Sequence, residues 1–439
     1  MASNTDASTG SAREKDAPEG SNFVVNLIRI VAPLVLIFLL VKPYVMKPKA
    51  APLASQTFKA RGLTMGTSWN AAIVANLSDV IELNNKGIVD SSDEEDELKS
   101  CEDLLARIVQ RELDKIDALA STYRSDSEIS RFNAFESDEW FPVSEETAEC
   151  VAIALDVAEK TGGAFDPTVA PLVNLYRFGP NKSPLLALPT DEELDALRAV
   201  VGWKNLEVRK APDPALRKRV PKLTLDLSGV AKGYAVDRVG KALEACGLND
   251  YMIEVGGEIR VKGKKFDAYE EKSRPWTLGV ETPEVRENGD EARRVPNLYR
   301  SLTFGENANG AALATSGDYR NYLQVGDLRI SHIIDPRSGK PTEIVREDDA
   351  NAERLGAVSV VSLDLGTLSC AEVDAFATAF FVLGEKDALA LADKLGVPLL
   401  MLFRADDSAS KTREATSAAF QTQVDSTLMI DGDGAPSAR

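Results

Sequence analysis

Leu223-Thr224-Leu225-Asp226-Leu227-Ser228-Gly229-Val230-Ala231-Lys232-Gly233-Tyr234 reads as a strand running into a small-residue turn and then a helix. A glycine-bearing turn lets the backbone approach a ligand closely, and the helix start behind it presents unpaired N–H groups to an anion. Lys232 in the first helical turn opposes the helix dipole, which an anionic ligand would relieve. An ordinary strand–turn–helix, with Asp226 as a cap and Lys232 in solvent, is the other reading of the same residues. Further strands are expected at 205–209, 251–255, 258–262, 275–281, 300–304, 321–325 and 356–361. A hairpin is expected from Thr57 through Met65-Gly66-Thr67 to Val74, with helices at 98–119, 145–160, 231–246, 370–383 and 385–395. Meandering strands with interspersed helices fit an α+β fold of mixed, mainly antiparallel sheets with flanking helices. They do not fit strict βαβ alternation.

The folded body is expected over 57–404, between segments of different character. Residues 1–22 are small, polar and charged and read as a disordered tail. Phe23 to Val41 is an apolar run about as long as a bilayer requires, flawed by Asn26 and Arg29, and 23–42 is expected to be a transmembrane anchor. A cleaved signal peptide is the rival, but no clean small-residue cleavage site precedes Lys47-Pro48-Lys49. No cysteine follows the run to take a lipid. Residues 43–56 read as a linker that would place the body on the periplasmic or exterior side of the inner membrane. An acidic insertion at about 79–103 reads as solvated, and 405–439 as a low-complexity tail.

The chain of 439 residues carries 69 acidic against 51 basic side chains, a net charge of -18. That balance argues against nucleic acid, whose affinity depends on neutralising phosphates. The four cysteines, Cys101, Cys150, Cys246 and Cys370, form no C-x-x-C pair, which excludes a thiolate zinc ribbon or a thioredoxin-like site. Cys246 and Cys370 sit in apolar helical patterns and are expected to be buried.

The single histidine, His332, lies in Ser331-His332-Ile333-Ile334-Asp335-Pro336. One imidazole cannot build a multi-histidine metal site, but it is the natural choice for a general base near neutral pH. A structural histidine is the bland alternative. In Cys370-Ala371-Glu372-Val373-Asp374-Ala375-Phe376-Ala377-Thr378, an almost wholly apolar helix places Asp374 and Thr378 on one face. A carboxylate buried there needs a cation or strong donors, and carboxylate plus hydroxyl is a hard-oxygen pair that Mg²⁺ accepts. Pairing of Asp374 with an arginine is the alternative.

The order and wording of these segments resemble the ApbE family, the FAD:protein FMN transferases, across roughly 57–404. The resembling strings begin with Met65-Gly66-Thr67, Ser121-Thr122-Tyr123-Arg124, Gly163-Ala164-Phe165-Asp166-Pro167-Thr168 and Asp226-Leu227-Ser228-Gly229-Val230-Ala231-Lys232-Gly233. They continue with Glu254-Val255-Gly256-Gly257-Glu258, Ala314-Thr315-Ser316-Gly317-Asp318-Tyr319, the His332 string and Asp374-Ala375-Phe376-Ala377-Thr378.

The resemblance implies an ApbE-like fold and Mg²⁺-dependent transfer of the FMN half of FAD onto a Thr or Ser hydroxyl of a partner flavoprotein, such as a membrane redox subunit, releasing AMP. It implies His332 as the base, and Met65, Tyr123, Ala164, Phe165, Asp166, Asp226 and Lys232 around FAD. Mg²⁺ would be held by Asp374, Thr378 and the carbonyl of Gly229. The same site could hydrolyse FAD to FMN and AMP, and a non-catalytic flavin-binding protein at the membrane is the third reading.

Overall fold

Eight strands form one antiparallel sheet whose spatial order is the order of the chain. They are β1 (Gln56–Thr64), β2 (Thr67–Ala75), β3 (Asp250–Val255), β4 (Glu258–Lys262), β5 (Ala311–Gly317), β6 (Arg354–Ser362), β7 (Leu399–Arg404) and β8 (Thr412–Thr416). The computed structural model describes residues 55–85, 97–283, 297–304, 309–318, 321–346, 353–404, 412–424, 428–430 and 436–437. The expected anchor at 23–42 therefore lies outside the described residues, as do the tail before it and nearly all of the linker. Among the described residues no helix is long and apolar enough to cross a membrane.

Helices α1 (Glu97–Ala120), α2 (Glu145–Lys160), α3 (Ala231–Ala245) and α4 (Cys370–Leu395) belong to the layer on one face of the sheet. Strand alternation sends Val358 and Val360 of β6 into that core, while Ala357 and Val361 enter a second core on the other face. Trp276, Leu278, Leu302 and Phe420 complete the second core. With both faces covered, every residue of β7 is buried, which is why it reads as a continuous apolar run.

Helix α4 starts at a capping box made by Ser369 and Glu372, and ends at Gly396 in the left-handed conformation. Gly384 breaks its helical geometry, as the expected division at that position requires. Where α3 meets α4, a Cβ on Gly233 would lie 2.4 Å from the Cys370 carbonyl oxygen. Only glycine lets the two helices approach so closely, and that approach brings Lys232 beside Asp374.

Four expectations are corrected. Residues 222–227 join no sheet. The Asn133 side chain instead bonds both the N–H and the carbonyl of Leu225, Lys218 donates to Leu223 O, and Asp226 N–H donates to Pro167 O. Two side chains and the Pro167 carbonyl thus satisfy the backbone that a neighbouring strand would have satisfied. The region after 405 is not all tail: β8 extends the main sheet, and Phe420 of the helix Ala418–Gln423 is 1% exposed. The acidic insertion is not solvated throughout, because the helix Leu77–Asn85 buries Val80 and Leu83 and α1 already begins at Glu97. Finally, Cys246 is only half-buried, whereas Cys370 is buried as expected.

Candidate active site

Residues from widely separated chain segments converge on one cavity of ≈ 900 Å³. Its lining includes Tyr123, Ala164, Phe165, Asp166, Asp226, Gly229, Lys232, His332, Asp374 and Thr378. Met65 is the one sequence-derived candidate outside the lining. It forms, with Gly66, the two-residue turn between β1 and β2, and both residues have positive φ, 47° and 73°. A methionine in that conformation is strained, and the lining takes up again at Gly66 and Thr67.

At one wall, Asp374 is 3% exposed and its Oδ2 accepts the Gly233 N–H at 3.0 Å. Burial raises its pKa, while Lys232 and the Gly233 N–H act against that rise. One turn further along α4, Thr378 Oγ1 lies 3.1 Å from Ser316 Oγ. The Gly229 backbone is adjacent, since a Cβ there would lie 3.3 Å from Thr378 Oγ1 and 3.0 Å from Phe165. Carboxylate, hydroxyl and a main-chain segment thus meet at one point of the cavity. Among the described residues no cluster of three His, Cys, Asp or Glu side chains could hold a metal. A set with one carboxylate and neutral oxygens does not need such a cluster, and it suits a hard cation that keeps waters and phosphate oxygens.

Lys232 Nζ lies 2.6 Å from Glu258 Oε1 and 3.9 Å from Asp374 Oδ1. Burial disfavours its charge, but the two carboxylates outweigh burial and hold its pKa above the usual lysine value. The cavity wall therefore keeps a permanent cation for an anionic ligand.

Elsewhere in the same cavity lining, His332 Nδ1 lies 2.8 Å from Asn321 O. A carbonyl only accepts, so the proton sits on Nδ1 and Nε2 keeps a free lone pair. Burial pulls the imidazole pKa below its ordinary value, against the Asn321 hydrogen bond and Asp318. The Phe178 ring stands edge-on to it with centroids 6.1 Å apart.

Two expected ligand contacts have a different immediate task. Asp166 Oδ1 accepts from Thr168 N–H and its hydroxyl, and Oδ2 accepts from Trp203 N–H. Its carboxylate organises the loop that presents Ala164 and Phe165. Asp226 Oδ1 accepts the Ser228 N–H at 2.9 Å, shaping the turn that carries Gly229. Tyr123 is 64% exposed at the rim, its hydroxyl donating to Phe178 O and its ring beneath Lys182. Sequence reasoning overlooked Glu258, Ser316 and Asn321 as site residues. Glu258 was findable, because a glutamate directly after Gly256-Gly257 at a hairpin end invites a ligand or ion-pair role.

The sequence model of the ApbE family matches residues 65–401. The chain belongs to the ApbE family. It is 38% identical to the FAD:protein FMN transferase of Vibrio cholerae serotype O1 over 346 residues, 79% of this chain and 87% of that protein. It is 34% identical to the FAD:protein FMN transferase of Escherichia coli K12, over 82% of this chain and 89% of that one. The solved flavin transferase ApbE from Vibrio cholerae superposes with a TM-score of 0.62 at 35% identity, covering 84% of this chain and 99% of that one. The apo flavinyl transferase ApbE of Pseudomonas stutzeri gives a TM-score of 0.63 at 29% identity, over 84% and 96% of the two chains. The family model ends at residue 401, and the described structure goes on beyond it into β8.

Proposed function

We propose that this ApbE family member is an FAD:protein FMN transferase that moves FMN from FAD onto a Thr or Ser hydroxyl of an acceptor flavoprotein and releases AMP. The observation that carries the reading is the cavity in which His332 Nε2, the Lys232 ammonium and the Asp374–Thr378–Gly229 oxygen set face one space. Family membership and the relatives' activity support it.

His332 Nε2 takes the proton of the acceptor hydroxyl. The hydroxyl oxygen bonds to the FMN phosphorus as the bond from that phosphorus to the bridging oxygen breaks, and AMP leaves with the bridging oxygen and its electron pair. Lys232 holds the diphosphate as a point charge. Asp374, Thr378 and the Gly229 carbonyl would hold Mg²⁺, which when bound neutralises charge on the transferring phosphoryl group. Tyr123 offers a ring for stacking, while Ala164 and Phe165 form an apolar wall. The flavin is held as substrate, so no hydride step is required.

Mass spectrometry of a candidate acceptor after incubation with FAD and Mg²⁺ tests the reading. One FMN covalently attached to a Thr or Ser, with one AMP released, is expected. Free FMN and AMP without an adduct would make the chain a hydrolase instead. We further propose that the apolar run 23–41 anchors the chain in the inner membrane with the body facing the periplasm or exterior; its length supports this.

A further inference from the structure

Lys232 stands between two buried carboxylates that it treats unequally: 2.6 Å to Glu258 Oε1, 3.9 Å to Asp374 Oδ1. Gly233 N–H occupies Asp374 Oδ2, so Oδ1 is the oxygen left to an approaching cation. Glu258 is 2% exposed, and its Oε2 is buried without a hydrogen-bond partner. The ammonium is therefore the compensation that this carboxylate receives. The lysine stem is confined as well, since a Cβ on Gly256 would lie 3.4 Å from Lys232 Cδ.

Attraction between opposite charges in a buried site strengthens steeply as they close. An ammonium without Glu258 would cross the remaining gap and settle on Asp374 Oδ1, where a divalent cation has to bind. We propose that Glu258 is a positioning residue that holds Lys232 away from Asp374 and so keeps Oδ1 open to the metal ion. Lys232 is then free to meet the diphosphate without displacing the cation. The inference rests on the metal reading given above and adds to it the device that separates the two positive charges.

Calorimetric titration with Mg²⁺ alone, without FAD, tests it in wild type, Glu258→Gln, Lys232→Met and the double variant. Glu258→Gln is expected to weaken Mg²⁺ binding by about 10–100-fold, the usual effect of losing a partner behind a metal ligand. Lys232→Met should bind at least as tightly as wild type. The double variant should return to the wild-type range, because no ammonium is left to compete. A merely structural Glu258 would not be rescued by removing a second residue. Wild-type affinity in Glu258→Gln, or a loss that persists in the double variant, overturns the proposal. Should Glu258→Gln fail to fold by circular dichroism, Glu258→Asp and the double variant decide. Both are expected to bind as wild type does, and loss of affinity in either overturns the proposal. If wild type itself takes up no Mg²⁺, the metal reading fails first and this inference falls with it.

Discussion

His332 Nδ1 lies 2.8 Å from the carbonyl oxygen of Asn321, which commits the ring to the tautomer with a basic Nε2. The base is thus oriented by the Asn321 main chain. His332→Ala should keep FAD affinity and lose transfer by about 10²–10⁴, the usual share of a positioned base. Flavin fluorescence measures the first and adduct formation the second.

The pH profile follows from the same environment. Burial lowers the His332 pKa below 6.5. The protonated ring cannot accept a proton, so the rate should rise with pH through that lowered pKa and level off above it. An acid limb centred above the ordinary histidine value would assign it to another group.

Asp374→Asn should weaken Mg²⁺ binding, with added Mg²⁺ partly restoring transfer. Thr378→Val should do the same more mildly, because it removes a neutral ligand of similar shape. Treatment with a chelator should abolish transfer in wild type and leave FAD binding detectable. Unchanged Mg²⁺ affinity in Asp374→Asn would move the metal elsewhere.

The sequence shows elements whose pattern is local. The capping box at Ser369-Glu372, the glycine at 384 and the serine cap at 144 bound their helices without any tertiary knowledge. It conceals what depends on distant partners. Leu223 to Leu227 has the side chains of a strand, yet its hydrogen bonds go to Asn133, Lys218 and Pro167. Asp166 lines the cavity, and the sequence does not show that Thr168 and Trp203 also donate to its two oxygens. Glu258 is legible as a candidate from the glycine pair before it, but its ion-pair partner Lys232 comes from a different element and is not.

Lys218 is fully buried and donates to the carbonyls of Phe132, Asn133 and Leu223. Lys218→Met leaves three acceptors without their donor and should cost about 2–3 kcal/mol, the scale of hydrogen bonds to a charged group. Chemical denaturation reads it as a lower midpoint at unchanged slope. Transfer activity should fall too, because the segment it anchors carries Asp226 and Gly229.

Phe420 discriminates the C-terminal region as folded structure from a tail. It is 1% exposed in the second core, near Arg300 and the sheet strand β7. Phe420→Ala should cost about 3–5 kcal/mol, as truncation of a buried aromatic does. A variant as stable as wild type in urea would return residues after 405 to the status of a tail.

Deleting residues 1–50 should release a folded, active protein, because among the described residues the first strand begins at Gln56 and the lining of the cavity at Gly66. The full chain should fractionate with membranes and resist salt washing, since an inserted apolar helix is insensitive to screening whereas a charge-held protein is not. Protease added outside spheroplasts should digest the body if it faces outward. Protection until the membrane is broken would place it on the cytoplasmic side. The geometry of His332, Lys232 and Asp374 would be unaffected, and the acceptor would have to be sought among proteins exposed to the cytoplasm.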